Sequence, residues 1–553
     1  LNRSRRLACA ALGLAAAGLV GLAPARSARA ADPVPTITWG DCSGMSAAAG
    51  AECGFISVPL DWDHPNGKKI SLAVSRSKAT AVKRLGVMLV NPGGPGGSGL
   101  GLTAVRELVP NDAGKAYDWI GFDPRGVGAS QPSISCDPEF IKGPRPDYTP
   151  DSHGEKLSRE EDAWLALSKR YAGACAAKYP DLLAHMKTVD TVRDMDAIRR
   201  ALGESKINYY GFSYGTYLGE TYATMFPGNV GRMVLDGIVD PRGVWYSAQL
   251  NQDRAFEVVV KRFFAWVARN DATYNLGTTE AAVREHYTTA LHSLSGTPID
   301  GIGSSEWVDL FAHTMYAEFL WPATADAFAS YVNRHDIAAA KVDYQGTLDP
   351  NDNAFAVYNA VQCTDATWPQ SYSKTWRPDG FRTAAKAPFM TWSNVWYNTA
   401  CLYWPAKPGT PIKVDGSKAP PVLLINATLD GATPFSDAIE VRRLFPGARL
   451  IAEQDATSHA NSLGGNTCIT DRIAKYLTDG ELPARKPGPG PDVVCKRQPE
   501  PRAGFPGYQA GPASVGSNSD NAPAPGPAPP VDPSVLNSLL RLLPLEGVSR
   551  GRP

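Results

Sequence analysis

A serine held between glycines, Gly211-Phe212-Ser213-Tyr214-Gly215, separates a short apolar run at 207–210 from a stretch of helical spacing at 216–225. A turn that passes directly from strand to helix puts its serine in a strained backbone conformation. The hydroxyl is then held clear of the sheet, with a helix N-terminus beneath it. Side chains at 211 or 215 would collide with the neighbouring strand and helix, which explains the small residues there. Ser213 is therefore the leading candidate nucleophile.

The surrounding pattern fits such a turn. Apolar runs at 85–90, 119–122, 207–210, 233–235, 422–425 and 449–452 read as strands. Their hydrophobicity is nearly continuous, as expected of strands covered on both faces. Helical patterns lie between them, at 192–202 and 438–444 among others. This alternation predicts an α/β protein with a mostly parallel central sheet and helices on both faces. Segments 53–60 and 69–75 precede it as a candidate antiparallel hairpin.

The strand pattern stops at about 242 and resumes after 409. The stretch between is rich in aromatics, with helices expected at 258–268 and 307–332. A structureless loop of that length is improbable, so a mainly helical inserted cap is predicted. The expected organisation is an export signal at 1–30, sheet core at 31–241, cap at 242–409 and the rest of the core at 410–495. A Pro/Ala/Gly-rich disordered tail follows at 496–553, with an apolar cluster at 536–543.

A serine becomes nucleophilic through a base, and the base needs an orienting acid. Of the histidines after Ser213 (His286, His292, His313, His335 and His459), only His459 follows the last predicted strand. Asp430 follows the strand at 422–425 and precedes Gly431, which permits a tight turn, and is the leading acid. Asp236 and Asp455 are its rivals. The loop Asn91-Pro92-Gly93-Gly94-Pro95-Gly96-Gly97-Ser98-Gly99 follows another predicted strand. Its glycines would let backbone N–H groups converge on an oxyanion, with Gly94 and Tyr214 as the candidate donors. A phosphate cradle does not fit, because the loop lacks the P-loop lysine and its prolines carry no N–H. Arg125, in Asp123-Pro124-Arg125-Gly126, is expected to pair with a buried carboxylate near this loop.

Composition narrows the setting. Arg3, Arg5 and Arg6, an apolar run at 7–22 and Ala28-Arg29-Ala30 read as a removable secretory signal. Cys9 lies inside it, ahead of the cleavage site, which argues against a lipid anchor there. The other eight cysteines form an even set, as expected of disulfides in an exported chain. Sequence neighbours would pair as 42–53, 136–175, 363–401 and 468–495, although spacing does not fix the pairing. There is no C-x-x-C or H-E-x-x-H to suggest a metal. With 55 basic and 55 acidic residues and no basic block, nucleic acid is not an expected partner.

Together, the Asn91–Gly99 loop, Asp123–Gly128, Gly211–Gly219, Asp430–Pro434 and His459 resemble the α/β-hydrolase fold. With Val58-Pro59-Leu60-Asp61-Trp62 and the late Cys468 to Cys495 segment, they resemble secreted actinobacterial tripeptidyl aminopeptidases, relatives of the proline iminopeptidases. The resemblance implies Ser213 as nucleophile, Asp430 as acid and His459 as base, with no cofactor or metal. The apolar run at 7–22 is too short for a membrane span, so no stable membrane insertion is expected; the protein is expected to be a monomer, secreted or held at the cell wall. Its substrates would be peptides with a free amino terminus, whose ammonium a cap carboxylate would bind; Glu318 and Asp365 are the candidates. One departure is that Ser458 and Ala460 flank His459, where relatives commonly place a glycine. The runner-up activities are single-residue release, as in proline iminopeptidases, and ester hydrolysis. A requirement for a free amine would separate peptidase from esterase.

Overall fold

The computed structural model describes residues 35–504, apart from 46, 141, 151–153, 155 and 348–350. The expected signal at 1–30 and the apolar cluster at 536–543 lie outside the described residues. The strands are β1 (Glu52–Pro59), β2 (Lys69–Ser77), β3 (Val87–Asn91), β4 (Asp118–Phe122) and β5 (Ile207–Phe212). They continue with β6 (Val230–Asp236), β7 (Leu423–Ala427), β8 (Arg449–Gln454) and β9 (Val493–Lys496). All join one sheet in the order β1-β2-β4-β3-β5-β6-β7-β8-β9. β1 pairs antiparallel with β2, and β2 with β4; every later pairing is parallel.

The near-continuous hydrophobicity of the central strands has the expected cause. In β3, Val87 and Leu89 join a core with Leu218 and Tyr222 of α3 (Tyr214–Met225). Met88 and Val90 point the other way, into a second core with Ile469 and Ile473 of α14 (Thr467–Asp479). Both faces are thus buried, as a parallel sheet requires. Helices α1 (Arg159–Lys178) and α2 (Thr188–Ala201) precede β5, and α13 (Phe435–Leu444) connects β7 to β8.

Between β6 and β7 the chain leaves the sheet. It passes through α4 (Tyr246–Arg269), α5 (Asp271–Tyr274), α6 (Glu280–Leu294), α7 (Ser304–Thr314) and α8 (Trp321–Arg334). It returns through α9 (Ala338–Gln345), α10 (Asn353–Asp365), α11 (Arg377–Ala384) and α12 (Thr391–Asn398). Phe263, Trp266, Trp307, Phe311, Trp321 and Phe328 form a separate aromatic core here. The single helix expected at 307–332 is broken between α7 and α8. Pro322 stands in the first turn of α8: it cannot donate an N–H, and its ring would clash with a preceding helical turn. The break frees 315–320 to reach the sheet side.

Four disulfides join Cys42–Cys53, Cys136–Cys175, Cys363–Cys401 and Cys468–Cys495, the pairing of sequence neighbours. Arg125 pairs with a buried carboxylate, as expected: its guanidinium donates twice to Asp194 of α2 (both 2.8 Å). The glycine loop itself is held by Asp123, which accepts from Ser98 Oγ (2.6 Å) and from Gly99 N (3.1 Å). Residues 496–501, expected to open the tail, make specific contacts. Lys496 ends β9, Glu500 binds Arg269 (2.8 Å), and the Pro501 carbonyl receives Trp266 Nε1 (3.1 Å).

Candidate active site

Ser213 joins β5 to α3 with φ +54° and ψ −127°, a strained conformation for a residue with a side chain. Gly211 and Gly215 make it feasible. A Cβ on Gly211 would lie 2.5 Å from the Gly215 carbonyl, and one on Gly215 would lie 2.8 Å from the Asn91 carbonyl. The Ser213 amide donates to the Asp236 carbonyl (2.9 Å), fixing the turn to the end of β6. The Ser213 hydroxyl is buried and has no hydrogen-bond partner among the described residues.

His459 lies in the loop between β8 and α14. Its amide donates to the Tyr316 carbonyl (2.8 Å), and the Tyr316 ring meets the imidazole edge to face at 5.8 Å. The imidazole also lies on Gly237, where a Cβ would come within 2.8 Å of Cε1. Ser213 and His459 therefore approach adjacent residues at the end of β6, Ser213 on Asp236 and His459 on Gly237.

Of the three carboxylates weighed from the sequence, Asp430 is the one hydrogen-bonded to the imidazole. Nδ1 of His459 lies 2.8 Å from its Oδ2 and 3.0 Å from its Oδ1. The same carboxylate accepts from the amides of Ala432 and Thr433 (both 2.9 Å) and from the Thr433 hydroxyl (2.9 Å). Asp236 points elsewhere and accepts from the Ser462 amide (2.8 Å). Burial pushes its carboxyl up to about 7. Asp455 stands at the far end of the loop, where its amide donates to Thr428 Oγ1 (2.7 Å).

The glycine loop closes over Ser213. A Cβ on Gly93 would lie 2.5 Å from the Phe212 carbonyl and 3.0 Å from the Tyr214 nitrogen. Tyr214 opens α3, so its N–H has no acceptor within the helix. The Gly93 N–H is already given to Asn91 Oδ1 (2.9 Å), which leaves Gly94 as the next amide of the turn.

The two carboxylates expected to bind an ammonium are both committed. Glu318, in the break between α7 and α8, accepts from the Thr457 amide (3.0 Å) and hydroxyl (2.8 Å). Its other oxygen receives Arg497 (2.6 Å), which neutralises it. Asp365 ends α10 and closes the N-terminus of α2, accepting from the Thr188 amide and hydroxyl (both 2.6 Å) and from Trp245 Nε1 (3.2 Å). Burial pushes its carboxyl up to about 6. Glu318 is thus a brace for the His459 loop, and Asp365 a brace between helices. Sequence could not have shown either role, because the partners stand more than a hundred residues away.

Comparison with known proteins adds an independent line. Residues 86–461 match the family model of the alpha/beta hydrolase fold. The tripeptidyl aminopeptidase of Streptomyces lividans is 42% identical over 497 residues, covering 87% of this chain and 89% of that protein. Serine protease Hip1 of Mycobacterium tuberculosis is 31% identical, over 86% of this chain and 95% of its own. Carboxylesterase B of the same species is 31% identical, over 81% of this chain and 89% of its own.

Proposed function

Because the chain belongs to the α/β-hydrolase family, within its tripeptidyl aminopeptidase group of serine peptidases, we propose that it releases tripeptides from the free amino termini of peptides. The observation that carries this reading is the 42% identity to a tripeptidyl aminopeptidase along nearly the whole of both chains. The hydrogen bond from His459 Nδ1 to Asp430 supports the assignment of its machinery.

In this reading Ser213 attacks the scissile carbonyl while His459 Nε2 removes its proton. Asp430 fixes the tautomer that leaves Nε2 free to do so and stabilises the imidazolium that forms. The oxyanion is met by the N–H groups of Tyr214 and Gly94, supplied by a rigid backbone that needs no rearrangement. His459 then protonates the leaving amine, and water frees the tripeptide from Ser213. The insert at 242–409 acts as the cap that admits a chain end and excludes chain middles. The four disulfides support action outside the cytoplasm, where such bonds persist.

The 31% identity to carboxylesterase B keeps ester hydrolysis as the second reading. One experiment separates them: mass spectrometry of the products from a single peptide, with its amino terminus free or acetylated, using Ser213→Ala as the blank. A tripeptide from the free form alone is the expected result. Single-residue release would make the protein an aminopeptidase of the iminopeptidase kind. Equal cleavage of both forms would remove the free-amine requirement. Cleavage of neither, with turnover of p-nitrophenyl esters, would favour the esterase.

A further inference from the structure

With Glu318 and Asp365 committed elsewhere, a buried polar seam between α4, α10 and α12 becomes the important feature of the insert. Gln249 Nε2 donates to the Tyr358 hydroxyl (2.9 Å) and to Gln362 Oε1 (3.0 Å). The Tyr358 hydroxyl donates to Asn398 Oδ1 (3.0 Å), and Asn398 Nδ2 to Asn394 Oδ1 (2.9 Å). Asn394 Nδ2 in turn donates to Asp253 Oδ1 (2.8 Å). All six side chains are buried.

The seam's own donors leave one acceptor and one negative charge unmatched among the described residues. Asp253 is 1% exposed and forms no ion pair among the described residues. Its neighbour Arg254 is exposed and donates to Asn251 (3.0 Å). Gln249 Oε1, one helical turn before Asp253 on the same face of α4, is buried and has no hydrogen-bond partner among the described residues. A buried carboxylate without a cation is costly unless something supplies one. Burial pushes this carboxyl up to about 7, and a bound cation would favour its ionised form.

The seam is also close to the reacting groups from both sides. At its α10 end, the Ala354 carbonyl lies 2.5 Å from where a Cβ on Gly96 would sit, so α10 begins directly over the glycine loop. Tyr358 stands one turn further, about 6 Å along the helix. At its α4 end, the Phe256 ring lies against Gly431, 2.6 Å from a Cβ there, beside Asp430. Asp253 is under one turn away, about 4.5 Å along α4. Three extended residues span about 10 Å, which matches a seam one helical turn beyond the groups that surround Ser213.

We propose that Asp253, with Gln249 Oε1 beside it, receives the α-ammonium of the substrate and so sets the number of residues released. An ammonium supplies N–H donors for Gln249 Oε1 and a positive charge for Asp253. The proposal rests on the reading of a free-amine exopeptidase and names the residue that recognises the amine.

The test compares kcat/KM on a tripeptide p-nitroanilide with a free amino terminus against its N-acetyl form. Wild type is expected to prefer the free form by about 100-fold or more, the size of a lost buried charge contact. In Asp253→Asn that ratio is expected to fall within tenfold of unity through a raised KM for the free form. Turnover of the acetylated substrate and of p-nitrophenyl acetate should be unchanged. A retained preference in Asp253→Asn would overturn the assignment while leaving the exopeptidase reading intact. No preference in wild type would overturn that reading and the assignment with it. Labelling of Ser213 by a fluorophosphonate reports folding. Should Asp253→Asn fail to label, Asp253→Glu shifts the carboxylate by one methylene: a tenfold fall in preference supports the proposal, and an unchanged one overturns it.

Discussion

Glu318 receives both the amide and the hydroxyl of Thr457, two residues before His459. This ties the insert to the base-bearing loop, and Arg497 on the other oxygen anchors the pair to the chain just after β9. Glu318→Ala would strip the loop of two hydrogen bonds and leave Arg497 with Glu500 (3.2 Å) as its remaining carboxylate partner. The expected cost is about 1–3 kcal/mol of stability and at least a tenfold fall in kcat. The ratio of free-amine to acetylated turnover should not move, because the role is to hold His459 and not the substrate. Steady-state kinetics on both substrates and a denaturant titration check this.

The imidazole is hydrogen-bonded to Asp430, and a second carboxylate nearby, Asp236, accepts from Ser462. Asp430→Asn keeps the shape but favours the wrong tautomer of His459, so kcat is expected to fall by about 10⁴-fold. Asp236→Asn retains an oxygen for the Ser462 amide, and its kcat should stay within about tenfold of wild type. Fluorophosphonate labelling rates of Ser213 in the two variants should follow the same order. Comparable losses in both would return Asp236 to the role of acid.

How much of this could be read beforehand depends on the range of the interaction. Ser213, Asp430 and His459 each follow a strand within a few residues and carry local turn signals, so their placement is written in short segments. Every central strand of the parallel sheet was legible for the same reason. β9 was not, because four residues following a Pro/Gly-rich run give no periodicity to count. The break at 315–320 was hidden by a hydrophobic pattern that continues through it. Gln249 and Asp253 present a further limit: at helical spacing, a buried polar face and a solvated one look alike. Only the packing of α10 and α12 against α4 tells them apart. Glu318 and Asp365 looked free because their partners, Arg497 and Thr188, are far away in sequence.

Glu220, in the middle of α3, is fully buried and neither carboxyl oxygen has a hydrogen-bond partner among the described residues. Burial holds its carboxyl well above the usual range, and Asp240 and Asp437 add to the effect. The folded protein then keeps a proton that the unfolded chain has already released. Stability must therefore fall as pH rises above the ordinary carboxylate range. Glu220→Met removes the group at similar volume. The variant is expected to be more stable by about 1–3 kcal/mol at pH 8, with the gain shrinking toward pH 4. Unfolding midpoints across that range check it, and a gain independent of pH would show that Glu220 does not titrate with folding.

Cys363 and Cys401 join the last turn of α10 to the short turn after α12, across a separation of 38 residues. Closing a loop of that size restricts the unfolded chain enough to contribute about 4 kcal/mol. The bridge also sets the spacing of the two helices that carry Tyr358 and Gln362 on one side and Asn394 and Asn398 on the other. Replacing both cysteines by serine should therefore do two separable things. The unfolding midpoint should fall by an amount corresponding to about 4 kcal/mol or less. Under conditions where the variant remains folded, preference for a free amino terminus should weaken while p-nitrophenyl acetate turnover persists, since Ser213, Asp430 and His459 lie on sheet connections outside this loop. The Cys42–Cys53 bridge, at the start of β1, is the control: its double serine variant should lose stability and keep the preference. If the two double variants lost preference equally, the effect would reflect general loosening and not the geometry between α10 and α12.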